Sequence, residues 1–294
     1  MKNIFSILVA SIILMVGCDK GNDMGAEITD TNQIRVNASV DTRVAGASFE
    51  AGDTIGLYAV EYSGDEVAVL QPSGNYLNNE AVTFDGAVWN TARALYWGEN
   101  PCDFYGLYPK QELKSMNVLF EVATDQSQES ADGVLGGYEA SDLMWAKAEK
   151  VSRENGAVNL RFEHMMSRLV VNIERGPSYE GELPKDIDVH IYNTATQAMV
   201  DWSTGSLEKY FYSPTKTIKM HRIDDDSFDA IVVPQFIELS TPLVEVTMEG
   251  IAYLLEYDMS FRPGMQHTIT VMLNTSPDQE KIEINIDGEV GDWK

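Results

Sequence analysis

From Ile34 onward one pattern dominates the chain: apolar residues fall on every second position, in short runs broken by turn residues. A period of two sends alternate side chains to opposite faces of an extended strand, so each run reads as a half-buried strand. In TIGLYAVEY, Ile55, Leu57 and Ala59 share one face, while Tyr58 and Val60 share the other. DFYGLY (103–108), VNLRF (158–162), LVVNI (169–173) and IDVHIY (187–192) repeat the theme. LVEVTM, then Glu249-Gly250, then IAYLLEYDMSF reads as a hairpin, because a short Gly-containing connection turns one alternating run back on another. Arg262-Pro263-Gly264 makes a further turn before HTITVML (267–273), and KIEINI (281–286) returns after TSPDQE. No stretch carries the periodicity of a long amphipathic helix. Strands this closely spaced, with turns between them, predict an all-β chain built as antiparallel sandwiches.

The alternation changes phase once. Val158, Leu160 and Phe162 lie on even positions, whereas Leu169, Val171 and Ile173 lie on odd ones. A one-residue slip turns every side chain to the opposite face. The stretch His164-Met165-Met166-Ser167-Arg168 therefore either holds a bulge or marks the passage from one sandwich to the next. The second reading divides the chain into an N-terminal β-sandwich at 34–165 and a C-terminal one at 166–294. With 44% hydrophobic residues, the chain has the material for both cores.

Ahead of the strands, Ile4 to Val16 is apolar or small throughout, yet too short to cross a bilayer, which needs about 20 residues. Lys2 precedes it and Gly17-Cys18 follows, the layout of a secretory signal peptide at 1–17. Met15-Val16-Gly17-Cys18 also resembles a bacterial lipobox, in which the cysteine is lipidated and becomes the mature N-terminus. The plainer alternative is a signal peptide with an incidental cysteine. Residues 18–33 are small, polar and acidic, and read as a flexible tether between lipid and first strand. Cleavage before Cys18 removes only Lys2 and leaves 20 basic against 46 acidic residues, a net charge of about −26. Such a surface repels nucleic acid and anionic headgroups.

Little in the sequence points to catalysis, a cofactor or a metal. There is no G-x-S-x-G, and His164, His190, His221 and His267 are scattered without ligand spacing. Asp224, Asp225, Asp226 and Asp229 in HRIDDDSFD could hold calcium, but the glycine and periodicity of a calcium loop are missing, and a solvated turn fits as well. The 46 acids offer many carboxylate pairs for glycoside chemistry, none singled out by the sequence. Trp89, Trp97, Trp145, Trp202 and Trp293 could form a sugar-stacking platform or pack at sandwich corners. Cys102, the other cysteine, has no partner once Cys18 is acylated, and reads as a small buried hydrophobe.

Several of these stretches, in this order, resemble the fimbrillin-like lipoproteins of Bacteroidetes, which include subunits of type V pili. The matching pieces are the lipobox ending at Cys18, Thr42-Arg43, FEAGDTIGLYA (49–59), ALYWGENPCDFYGLYP (94–109) and SDLMWA (141–146). VNLRFEHMMSRLVVNI (158–173), VVPQ (232–235), FRPGMQHTITV (261–271) and INIDGEVGDW (284–293) continue the series. The resemblance implies two transthyretin-like β-sandwich domains in tandem, and a non-enzymatic subunit displayed on the outer membrane and in the fimbrium. It also implies a mechanism. An arginine-directed protease removes the N-terminal segment with its first strand, and the emptied groove accepts a strand from another subunit. Here that segment would be Cys18 through Arg43, carrying IRVNASV (34–40), with Arg35 as the runner-up site. The expected partners are other fimbrial subunits, self or related, the outer membrane through the lipid, and a host or bacterial surface receptor. Two alternatives stay open: Arg43 as an ordinary surface residue of an uncut anchor subunit, and an outer-membrane glycan-binding lipoprotein of a polysaccharide-uptake system. The donor strand would come from the C-terminal KIEINIDGEVGDWK, which could instead complete its own sheet.

Overall fold

The computed structural model describes residues 31–40, 48–238, 240–274 and 284–293; the signal segment, Cys18 and Arg43 lie outside the described residues. The first half contributes β1 (Val36–Val40), β2 (Thr54–Ser63), β3 (Glu66–Val67), β4 (Leu77–Phe84), β5 (Trp89–Thr91), β6 (Cys102–Tyr108) and β7 (Asn117–Glu121). A short helix, α1 (Gly137–Ser141), precedes β8 (Met144–Val151) and β9 (Val158–His164). The second half adds β10 (Ser167–Arg175), β11 (Asp188–Ala195), β12 (Gln197–Asp201), β13 (Ser206–Lys209), β14 (Thr215–Lys219), β15 (His221–Arg222) and β16 (Ser227–Val232). It ends with β17 (Phe236–Ile237), β18 (Pro242–Met248), β19 (Ile251–Glu256), β20 (Met259–Ser260), β21 (Met265–Leu273) and β22 (Ile284–Asp292). The all-β class read from the alternation is the observed one.

An eight-stranded sheet runs β1-β9-β8-β6-β2-β4-β5, with β3 paired to β2. A five-stranded sheet runs β15-β16-β10-β21-β22, and a four-stranded one β14-β11-β18-β19. Among the described strands two pairings are parallel, β1 with β9 and β10 with β21. Alternation along one strand says nothing of its neighbour's direction. A three-stranded sheet, β13-β12-β7, joins a strand from before the phase change to two from after it.

The apolar pattern of β2 acquires its meaning here. Ile55, Leu57 and Ala59 enter one buried cluster, which gathers apolar side chains between Ile34 and Phe162. Tyr58 and Val60, on the other face, enter a second cluster that continues through Met165 to Trp293. Strand β6 divides in the same way, with Phe104 in the first cluster and Tyr105 and Leu107 in the second. The middle of the large sheet is thus buried on both faces and serves two cores. Asp103, buried within β6, is not left unpartnered: Lys147 Nζ lies 3.1 Å away, and Tyr62 Oη and the Lys150 amide donate to it at 2.9 and 2.8 Å.

At the phase change the chain moves between sheets. Strand β9 buries its even positions in the large sheet, and β10 begins at Ser167 in the five-stranded one. Between them Met165 N donates to Leu143 O and Gly264 N to Met166 O, both at 2.8 Å, so the crossing is tied to each sheet. The predicted hairpin is β18–β19, with Met248 opposite Ile251. Its two connecting residues, Glu249 (φ 49°) and Gly250 (φ 75°), both adopt the left-handed backbone that a two-residue hairpin turn demands.

Candidate functional site: the edge strand and its groove

Strand β1 ends the large sheet. Its strand partner is β9, in parallel register from Val36 opposite Val158 to Val40 opposite Phe162. The alternation of IRVNASV decides which side faces inward: Ile34 and Val36 are buried, Ala38 and Val40 half-buried, while Arg35, Asn37 and Ser39 are exposed. The inward residues belong to the first core with Val158, Leu160 and Phe162. Burying each such aliphatic side chain stabilises by about 2 kcal/mol. Phe49 adds to the same wall, its ring 4.8 Å from Trp89 and 5.4 Å from Phe162.

Backbone bonds anchor the strand at its start. Ile34 N donates to Leu95 O at 2.8 Å, Trp97 N to Asn32 O at 2.9 Å, and Val158 N to Arg35 O at 2.8 Å. Along β1, Trp89 Nε1 donates to Ala38 O at 3.0 Å and Asn37 Nδ2 to Asn159 Oδ1 at 2.9 Å. These contacts hold β1, but among the described residues they form no ladder on its outer side. Taking β1 away would expose the β9 edge and an apolar slot lined by Leu160 and Phe162.

Arg35, the runner-up processing residue, is exposed and immediately precedes β1. A cut after it would leave the whole of Val36–Val40 in the sheet. The C-terminal stretch pairs with β21 from Met265 opposite Asp292 to Leu273 opposite Ile284, so β22 completes its own sheet.

The remaining candidates separate clearly. Cys102 is buried, its thiol pushed up to about 12 by that burial and then by the carboxylates of Glu61 and Asp103. Asp224, Asp225 and Asp226 form the turn into β16, where Asp224 Oδ1 accepts from Asp226 N at 3.1 Å. Asp229 points inward instead, accepting from Arg168 Nη2 at 2.7 Å and lying 2.8 Å from His221 Nδ1. Among the described residues no three His, Cys, Asp or Glu side chains gather as a metal site would require. Trp97, Trp202 and Trp293 are buried; Trp89 and Trp145 are half-buried, the latter donating its indole N–H to Trp202 O at 2.9 Å. The tryptophans therefore make no open platform.

An aromatic cluster that the sequence reading passed over is exposed. Phe211 is 86% and Tyr212 75% accessible, on a turn closed by Ser213 N donating to Tyr210 O at 3.0 Å. Their rings meet edge-on at 4.9 Å. The signal was present as Tyr-Phe-Tyr before Ser-Pro, three aromatics at a turn rather than inside an alternating run.

The fimbrillin-like family profile matches residues 42–293. The chain belongs to the fimbrillin-like family. Among solved structures, this fimbrillin-like fold is similar to a candidate cell adhesion protein of Bacteroides uniformis (TM-score 0.65, 22% identity, covering 89% of this chain and 98% of that one). A fimbrial protein of Bacteroides vulgatus (TM-score 0.53, 13% identity, 90% and 100% covered) shares it as well. So does the tip fimbrial protein Mfa3 of Porphyromonas gingivalis (TM-score 0.50, 11% identity, 89% and 99% covered). At these identities the likeness is one of fold. No curated protein matches the chain.

Proposed function

We propose that this fimbrillin-like chain is a non-enzymatic subunit of a cell-surface fimbria, anchored or released at the outer membrane and joined to other subunits by strand exchange. The observation that carries the reading is the position of β1: an edge strand, apolar on its inner face, upstream of Arg43. Cleavage after Arg43 would free Cys18–Arg43 with β1 from the rest of the chain. An alternating strand of the next subunit would then pair with β9 and fill the slot over Leu160 and Phe162. Acceptor groove and donor strand lie on different surfaces, so the contact is heterologous and propagates as a filament. Lipidation of Cys18 and a division into sandwiches at 34–165 and 166–294 belong to the same proposal.

The test is limited digestion of the mature protein, with Cys18→Ser to remove the lipid, by an arginine-specific protease. A new N-terminus at Val44 followed by a ladder of oligomers, absent from the Arg43→Ala variant, supports strand exchange. Cleavage there without assembly, in the presence or absence of other fimbrial subunits, overturns it. The exposed Phe211–Tyr212 pair favours a second reading, glycan binding at the outer membrane. Phe211→Ala with Tyr212→Ala should then abolish retention on immobilised polysaccharide, and leave assembly untouched.

A further inference from the structure

A groove that can exchange one strand for another has to set the register of its occupant. The inner face reads only alternation, and alternation survives a slip of two residues. Ile34, Val36, Ala38 and Val40 would each move to a neighbouring inward site, and no side chain would change face. The backbone is no stricter. Val158 N donates to Arg35 O at 2.8 Å on one side of the strand, and Trp89 Nε1 to Ala38 O at 3.0 Å on the other. Odd carbonyls thus face β9 and even ones face Trp89. A slip of one residue turns the apolar side chains outward, whereas a slip of two offers each donor an equivalent carbonyl.

A side-chain rung breaks this degeneracy. Asn37 stands opposite Asn159 on the exposed face of the pair, and its Nδ2 donates to Asn159 Oδ1 at 2.9 Å. The Asn159 amide nitrogen is 3.5 Å from Ala157 O of its own strand, so Oδ1 is the group that Asn159 offers to its neighbour. The next rung on that face sets Ser39 against Arg161, and among the described residues no hydrogen bond joins those two side chains. A strand displaced by two residues would bring a different side chain to Asn159 and lose ladder bonds at one end.

We infer that Asn159 is the register mark of this groove, and that the strand accepted from another subunit carries a side-chain amide facing Asn159, with an apolar residue on either side of it. The partner half of this rests on the strand-exchange reading; the mark itself acts on β1 in the intact chain. One polar position within an apolar repeat fixes register in the same way in coiled coils, where a single asparagine does so. An exposed side-chain hydrogen bond is worth about three- to tenfold in an equilibrium constant, enough to rank two registers of equal pattern.

Exchanging positions tests the mark without changing composition or the inner face. Asn37→Ser with Ser39→Asn moves the amide of β1 by one rung, and Asn159→Arg with Arg161→Asn moves its partner on β9 to match. In the intact mature Cys18→Ser protein, hydrogen exchange at the Val158 amide, relative to its unfolded-chain rate, reads how often β1 lifts away. Either exchange alone should speed it about three- to tenfold, and the two together should return it to within about twofold of the parent. No effect of either exchange, or effects that simply multiply when combined, overturns the mark.

The partner is tested on protein cut after Arg43 and freed of its N-terminal segment, with the Trp89 indole N–H signal followed by NMR. The probes are the Gln33–Val40 peptide and its version with Asn37→Ser and Ser39→Asn. The first should bind about three- to tenfold more tightly, and the order should reverse on the protein with Asn159→Arg and Arg161→Asn. Equal binding of the two peptides overturns the inference and leaves strand exchange standing. Failure of both to bind, beside rescue in the intact chain, overturns strand exchange and with it the partner, and leaves the mark assigned to β1.

Discussion

Cys102 and the histidines show how far single residues depend on their surroundings. With its thiol pushed up to about 12, Cys102 holds almost no thiolate at neutral pH, and thiolate is the reactive form. The folded Cys18→Ser protein should therefore react with a disulfide reagent at pH 8 only as fast as it unfolds, while the denatured chain reacts at once. A fast stoichiometric reaction of the native protein would show the burial to be wrong. His267 and His221 pull stability in opposite directions. Burial, with Arg262 beside it, lowers His267 to about 4, so between the ordinary imidazole value near 6.5 and that value the unfolded chain binds the extra proton. Stability from His267 is present above that window and is lost as pH falls through it. His221 is raised, first by its hydrogen bond to Asp229, so its contribution is present below the ordinary value and lost as pH rises through the raised one. Urea midpoints measured from pH 7 to pH 4.5 should fall less steeply in His267→Gln and more steeply in His221→Gln than in the parent.

At the scale of elements, the hairpin β18–β19 was legible because a turn signal and two alternating runs are local information. The parallel pairings of β1 with β9 and β10 with β21 were not, since 122 residues separate Val36 from Val158 and no local pattern encodes direction. Nor could alternation reveal that one sheet serves two cores. Ile55 and Tyr58 are both apolar, and which face is the inner one has no answer in β2, where both are. The candidate site was half legible. IRVNASV reads as a strand, but its place at an edge is a tertiary fact. Phe211 and Tyr212 escaped because a search for what goes inside ignores what stays out. Packing across the large sheet supplies a sharp prediction. A Cβ on Gly106 would run into the Phe162 ring, which lies over it. Gly106→Ala should cost about 1–3 kcal/mol, and Phe162→Ala about 3–5 kcal/mol, in chemical denaturation. A neutral Gly106→Ala would mean that the ring has room to move.

For the whole molecule, the proposed assembly can be tested without the protease. A chain beginning at Val44 lacks Ile34 and Val36 from the first core, and should melt earlier and bind a hydrophobic dye. A synthetic Gln33–Val40 peptide supplied in trans at about 1 mM, on the order of the effective concentration of a tethered strand, should reverse both effects, and its Val36→Asp version should not. Failure of the parent peptide to act would count against a groove that β1 alone fills. Because a subunit that begins at Val44 would carry 17 basic against 41 acidic residues, a net charge of about −24, the approach of such subunits would be resisted at long range. Filament growth should be faster at about 150 mM salt than at about 10 mM, where the screening length is nearly four times greater.

Strand β1 is short, and only its inner face is apolar, so as a free peptide it would be a weak binder of its own groove. Covalent connection adds to those contacts: because β1 and its groove belong to one chain, they meet at an effective concentration on the order of millimolar however dilute the protein. A cut in that connection would leave every contact of β1 intact and still abolish this advantage. Its occupancy would then follow ordinary mass action, against competitors supplied by neighbouring subunits at high local density. Activation of the groove would be a change of molarity, with no change of shape required.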